Sequence, residues 1–238
     1  ALCGRAPHVG LHVTENRRAR ITIDLADIPA RLLAEDTAWP VLVGAGDPDE
    51  DQLKALGAAM ASTGAVGLFH VVGVTPEAPD LATATQEQPP EATLRPSLAD
   101  LRQARDRLGA TLGDGVDAVA IGSPHLSEAQ ADALVAALAG RTVSVPLYAC
   151  TNRQVLAHLQ QTGADRALAG QGVTLVVDTC VVVTHVLPAA AGVLMTDSAK
   201  FAHYALPNAG YRAVYGSLAD CVETAVAGRL TRDEAVWQ

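Results

Sequence analysis

The chain has 238 residues, of which 49% are hydrophobic, 18% charged and only 3% aromatic, so a globular fold with an aliphatic core is expected. A formal net charge of −9 excludes the basic face that a nucleic-acid partner calls for, although local arginines and lysines can still make a pocket for an anionic substrate. No apolar run reaches membrane-spanning length, and no signal-peptide pattern is present; the expectation is a cytoplasmic protein with no membrane partner.

Cys3, Cys150, Cys180 and Cys221 are far apart and form no C-x-x-C pair, which leaves a zinc ribbon or thioredoxin motif without support. Disulfides are not expected in a reducing compartment. Two readings stay open: buried inert thiols, or an iron–sulfur site.

Residues 1–20 mix Cys3, two histidines and the run ENRRAR with glycines, a composition that suits a functional loop. Residues 20–25 alternate like a half-buried strand. Residues 40–46 read as a buried strand and its turn, after which Asp47 and Pro48 open a helix ending at Gly64. Residues 65–74 (AVGLFHVVGV) read as a long apolar strand leading into Thr75-Pro76-Glu77-Ala78. The polar, Pro-rich stretch 79–96 reads as a loop or domain junction. Ser97 then caps a helix through Leu108, with Asp100 as a capping-box acid.

From there the pattern is regular. A strand over 117–122 ends in Ser123-Pro124-His125, and Ser127 caps a helix to Ala139. A strand over 142–149 ends in Cys150-Thr151-Asn152-Arg153, followed by helices to about residues 162 and 168. Further apolar runs end in Asp178-Thr179-Cys180, Thr196-Asp197-Ser198 and Gly216-Ser217. Strands alternating with helices predict a layered α/β/α fold with mainly parallel sheets. The organisation expected is a first α/β part over 1–80, a junction over 81–96, and a second α/β part over 97–238. Polar groups recur where strands stop, and the carboxyl ends of strands are where open α/β sheets bind ligands.

Several side chains are candidates for chemistry. Glu77, after an apolar strand, is either a catalytic acid or base or a helix-start acid. His70 lies within an apolar run, where a satisfied core histidine is the competing reading. His125 has functional and capping readings side by side. Arg17 and Arg153 could clamp a carboxylate. Thr196, Ser198 and Lys200, at a helix start, together suit a carboxylate or phosphate. The glycine-rich nucleotide signatures are absent.

The strings ALCGRAPHVGLHVTENR, KALGAAMASTGAVGLFHVVGVTPEAP, IGSPHLS, VDTC, TDSAKFAHY and YGSLADCVETAVAG together resemble the catalytic domain of aconitase X, in the right order along the chain. The resemblance implies a fragment of an aconitase-like α/β/α catalytic domain with its upstream part missing, acting with a small swivelling domain or subunit. It implies a hydro-lyase that acts on a small hydroxy acid through an iron–sulfur cluster of 2Fe-2S or 3Fe/4Fe-4S type, held by three cysteines. The matching ones are Cys3, Cys180 and Cys221. Glu77, His70 and Lys200 become the catalytic candidates; Arg17, Thr75, Arg153, Thr196 and Ser198 become the substrate-binding ones. The implied reaction is dehydration of cis-3-hydroxy-L-proline to Δ1-pyrroline-2-carboxylate. Mevalonate 5-phosphate dehydration, or a non-catalytic chain that needs a partner, are the alternatives. The family pattern TNSGK reads TDSAK here, which places the carboxylate of Asp197 beside the expected pocket.

Overall fold

The computed structural model describes residues 11, 13–29, 45–64, 66–108, 115–187 and 192–238. Its centre is a five-stranded parallel sheet made of β3 (Ala118–Ile121), β4 (Leu147–Thr151), β5 (Val173–Val177), β6 (Val193–Thr196) and β7 (Arg212–Tyr215), in the order β5-β4-β3-β6-β7. Short Val- and Ala-rich runs form these strands because both faces are covered, as parallel sheets require. The layered α/β/α fold expected from the sequence is the fold observed. A smaller parallel pair, β1 (Ile21–Ile23) and β2 (Ala92–Leu94), precedes it in the chain.

Side-chain alternation divides the large sheet into two unlike faces. Val119, Ile121, Leu147, Ala149, Val173, Met195 and Val214 point into one apolar layer. That layer is closed by α4 (Glu128–Leu138), α5 (Arg153–Thr162), α6 (Ala164–Gly170) and α8 (Leu218–Ala227). Ala118, Ala120, Cys150, Val176, Leu194 and Ala213 point the other way, against α7 (Ala199–Tyr204) and residues 181–182. The helix α1 (Glu50–Gly64) packs on α7.

Capping chemistry sets several of the boundaries. Ser127 and Gln130 form a reciprocal capping box at α4, and Ser217 and Asp220 do the same at α8. Ser97 and Asp100 open α3 (Leu98–Leu108) in the same reciprocal way. At α1 the cap is Asp49, which accepts from Gln52 N at 2.8 Å while its own N–H donates to Gln52 Oε1; the expected Asp47 sits two residues too early.

Three sequence expectations change. Residues 66–74 form no strand: Gly73 takes a φ of +81°, and the chain turns so that Thr75 bonds back to both backbone groups of Val71. The polar stretch 79–96 is not a bare loop, because Asp80 caps the short helix α2 (Leu81–Thr85) and β2 follows it. Before β4, Pro146 supplies no N–H, and the N–H groups of Val143, Ser144 and Val145 donate to Gln171 and Ala225 carbonyls rather than to a strand. The expected strand over 40–46 lies largely outside the described residues. No helix among the described residues is long and apolar enough to cross a membrane.

Candidate functional site at the sheet switch point

The chain runs outward from β3 to β4 and β5, then returns to the other side of β3 for β6 and β7. The strand order therefore reverses between β3 and β6, and the crevice outside their carboxyl ends is where such sheets place a ligand. Gly122-Ser123-Pro124 leave β3 there, and Asp197-Ser198 leave β6. A small recess of about 30 Å³ lies between them, lined by Lys54, Ser123, Asp197, Ser198 and Ala199 among others.

Close backbone packing builds this corner. Gly122 has a φ of +82°, and a Cβ there would stand 2.2 Å from the Cys150 carbonyl oxygen, so only glycine fits. Leu126 N donates to that same carbonyl, and Thr151 Oγ1 donates to Leu126 O. His125 Nε2 donates to Thr179 O at 2.9 Å, so His125 here fastens one loop to another. Ser198 Oγ donates to Ser123 O and accepts from Phe201 N, while Ser198 N donates to Thr196 Oγ1. Thr196 and Ser198 are thus buried and spent on holding the β6 loop to the β3 loop.

The loop after β5 brings in the thiols. Asp178 adopts a left-handed φ of +59°, a conformation that costs a non-glycine residue about 1 kcal/mol or more. It is held there by Arg153, whose backbone N–H and Nε donate to its two carboxylate oxygens at 3.1 and 2.8 Å. Arg153 is therefore ion-paired at the rim, and its hydrogen bonds keep the Asp178 carboxyl below the usual range. The turn folds Cys180 back beside Cys150 at the end of β4, with its sulfur hydrogen-bonded to the Cys150 thiol. That bond, opposed by burial and helped by Ser123, the Val182 N–H and the charge of Lys200, brings the Cys180 thiol down to about 6. Cys150, as the donor to that thiolate and itself buried, is pushed far up. Ser123 Oγ is buried without a hydrogen-bond partner of ordinary geometry, beside the Cys180 sulfur.

The remaining candidates fall in three places. Cys221 is fully buried in the first turn of α8, in the apolar layer on the other face of the sheet, and burial first, then Asp197 and Asp220, push its thiol up. Cys3 lies outside the described residues. Arg17, His70, Thr75 and Glu77 come together elsewhere: Arg17 pairs with Glu77 at 2.6 Å, and its carbonyl accepts from His70 Nε2 at 2.9 Å. Arg17 and His70, though not Thr75 or Glu77, line a mainly apolar cavity of about 930 Å³ that Ala199 and Tyr215 border on another side. Ala199 borders both this cavity and the switch-point recess, so the two cavities adjoin.

Two partners were not visible as site residues in the sequence. Lys54 of α1 donates to Asp51 at 2.6 Å, to the His125 carbonyl at 2.9 Å and to Gln130 at 3.0 Å. Asp51 also accepts from Ser127 Oγ at 2.5 Å. This latch ties α1 to the loop that follows β3; an acid and a lysine three residues apart on a helix look like an ordinary surface pair. Among the described residues, no three His, Cys, Asp or Glu side chains converge tightly enough to hold a metal by themselves. The donor set that does suit an iron–sulfur group is the thiol pair Cys150 and Cys180, with the Ser123 hydroxyl beside Cys180.

Comparison with known proteins gives a consistent picture. Residues 33–106 match the model of the aconitase X second domain, and residues 116–227 match that of the aconitase X third domain. The cis-3-hydroxy-L-proline dehydratase of Pseudomonas aeruginosa is 38% identical over 258 aligned residues, covering 100% of this chain and 44% of the relative. That of Hypocrea jecorina is 33% identical over 96% of this chain and 42% of its own length. The phosphomevalonate dehydratase large subunit of Methanothermobacter thermautotrophicus is 34% identical, over 90% of this chain and 55% of its own length. The chain thus spans about half the length of the curated relatives it matches. Its fold superposes on the crystal structure of Thermococcus kodakaraensis aconitase X in the holo-form with a TM-score of 0.76 at 24% identity, covering 94% of this chain and 60% of that one.

Proposed function

Because this chain belongs to the aconitase X family, we propose that it forms part of an iron–sulfur-dependent hydro-lyase that dehydrates cis-3-hydroxy-L-proline. The observation that carries this reading is the 38% identity to a cis-3-hydroxy-L-proline dehydratase along the entire chain, together with a thiol-bearing site at the carboxyl ends of the central strands. A smaller partner domain or subunit and a cytoplasmic setting complete the reading. The free thiols of Cys150, Cys180 and Cys221 suit a reducing compartment.

An iron–sulfur group bound at Cys180 would supply a Lewis-acid iron for the departing hydroxyl. Family resemblance offers Cys3 and Cys221 as further ligands. The chain's own residues do the rest. Lys200 places a positive charge beside Cys180, where it would also draw a substrate carboxylate. Ser198 lines the recess, is joined to Thr196 by one hydrogen bond and caps the helix that carries Lys200. Arg153, fixed by Asp178, guards the rim.

Arg17, on the wall of the adjoining cavity, pairs with Glu77, the proposed base for the proton next to the carboxylate. Arg17 holds it at 2.6 Å, Thr75 shapes its turn and His70 anchors the Arg17 backbone. Positioning of this kind provides much of the rate in such a site. The phosphomevalonate relatives mark the second reading. Two nearby cations, Lys54 and Arg153, are already neutralised by Asp51 and Asp178, and Asp197 adds a negative charge, which suits a zwitterionic amino acid with a single carboxylate better than a phosphate ester.

The test is a side-by-side assay of the full-length protein with cis-3-hydroxy-L-proline and mevalonate 5-phosphate. Formation of Δ1-pyrroline-2-carboxylate from the first is expected. Turnover of the phosphate ester alone would replace this reading with the second.

A further inference from the structure

Charge is distributed most unevenly around the large cavity. The chain carries 26 acidic against 17 basic residues, yet Arg17, Arg18, Arg20, Arg105 and Arg107 line this space, with no Asp or Glu among the described residues of its wall. Glu77 matches Arg17, while Asp106 and Glu234 serve both Arg105 and Arg232. Arg18 and Arg20 share Glu91, and Arg107 donates to the neutral amide of Gln103. Among the described residues the rim is therefore left with a positive surplus, and an apolar wall of low dielectric strengthens its pull on an anion.

The rest of the wall is apolar. Leu11, Ile21, Val66 and Leu94, each 37% exposed or more, all border the cavity, as do Met60 and Phe69. Clustered apolar surface rimmed by charge marks an interaction site, and about 930 Å³ lies within the usual range of small-molecule sites. It is far more room than a five-membered-ring amino acid fills. His70, only 4% exposed, lines the same space. Its Nε2 donates to the Arg17 carbonyl, so the neutral ring keeps its lone pair on Nδ1, which is buried without a partner. An acceptor in that state carries an uncompensated desolvation cost, which a donor on a bound ligand removes.

We propose that this cavity is a binding site for an organic anion with an apolar body and a hydroxyl or N–H donor. The anionic group sits at the arginine rim, the body packs against Met60, Phe69 and Leu94, and the donor meets His70 Nδ1. Ala199, the first residue of α7, borders the cavity, so the occupant lies against the helix that carries Lys200. The site stands whichever hydroxy acid the protein dehydrates.

The probe is anilinonaphthalene sulfonate, an apolar-bodied anion with one N–H donor, titrated into the full-length protein while its fluorescence is followed. Octanoate, hydroxyoctanoates, octanol and octylammonium then compete for the bound probe. Two variants test the place. Ala104→Phe puts a ring into the cavity from an exposed position of α3, and Arg107→Gln removes the cation that has no carboxylate partner among the described residues. Far-ultraviolet circular dichroism checks folding of both.

One probe per chain is expected, with octanoate displacing it at about tenfold lower concentration than octylammonium and at least one hydroxyoctanoate doing better still. Ala104→Phe should weaken the probe by about tenfold, and Arg107→Gln should weaken octanoate while leaving octanol unchanged. Full-length protein that takes up no probe has this cavity filled by the rest of its chain, which would overturn the proposal. So would affinity untouched by both variants, or octanoate binding no better than octylammonium and no worse than every hydroxyoctanoate. Failure to dehydrate cis-3-hydroxy-L-proline is read in a separate assay and bears on the reaction alone.

Discussion

The two faces of the five-stranded sheet are built from the same strands, one residue apart, and they differ in what they leave undone. Toward α4, α5, α6 and α8 the strands present Leu, Val, Ile and Met side chains to an apolar layer, and Cys221 is absorbed there as another small hydrophobe. Toward α7 they present three alanines, Val176, Leu194 and one thiol, leaving room for the Cys180 loop to fold in. A sheet with two equally filled faces would be more stable and would have nowhere to hold a ligand. The closed face carries the stability, and the other can accept buried sulfur.

The sharpest way to break that contrast is to alkylate the metal-free protein under native conditions. Cys180 is expected to react first, and Cys221 on the order of a hundredfold more slowly, because it must wait for an opening of the closed layer. Comparable rates, read by peptide mass spectrometry, would dissolve the distinction between the faces.

Next in size is Leu147→Ala, which empties a fully buried position of the closed face. It should cost about 3 kcal/mol in denaturant unfolding while leaving the relative reactivity of Cys180 unchanged. Smaller is Lys54→Met, which removes three hydrogen bonds of a partly exposed latch and should cost about 1–2 kcal/mol.

The latch also sets a pH signature. Burial alone would raise the Asp51 carboxyl, but hydrogen bonds from Lys54 and Ser127 outweigh it and hold the group below its ordinary value. Its contribution is therefore present above the ordinary carboxylate range and lost as pH falls through the lowered value. Lys54→Met should flatten stability against pH below about pH 4.

The smallest effect belongs to His158, on the outer side of the closed face. A hydrogen bond to Asp132, opposed by desolvation and aided by the charges of Asp132 and Glu128, raises its imidazole. That contribution is present below the ordinary histidine range and fades as pH rises through the raised value. Melting temperature should fall slightly between about pH 6 and 8, and Asp132→Asn should remove that slope.

Much of this architecture could be read from the sequence because it is written locally. The caps at Ser97 and Ser127 and the strand runs of 117–122 and 173–177 declare themselves within a few residues. What escaped depends on distant partners. Residues 66–74 have the composition of a strand, yet Gly73 and the Thr75 turn decide otherwise. Strand order has no signature in the chain, so the switch point between β3 and β6 could not be located. Cys150 appeared at a strand end in the sequence, but its proximity to Cys180 rests on β4 and β5 being neighbours and on the left-handed turn at Asp178. The latch from Lys54 joins segments more than 70 residues apart, beyond the reach of any local pattern.

The position of β3 has a consequence for assembly. Val119 pairs with Leu147 on one side and with Met195 on the other, so the two edges of this strand close loops of very different length. Loop closure favours the nearer partner, and β3, β4 and β5 with their intervening helices can come together as a unit before β6 arrives. That early unit already contains Gly122, Ser123, Cys150 and Cys180. On this order of events the thiols meet first, and the strand carrying Asp197, Ser198 and Lys200 closes over them afterwards, as a door hung after the room is furnished.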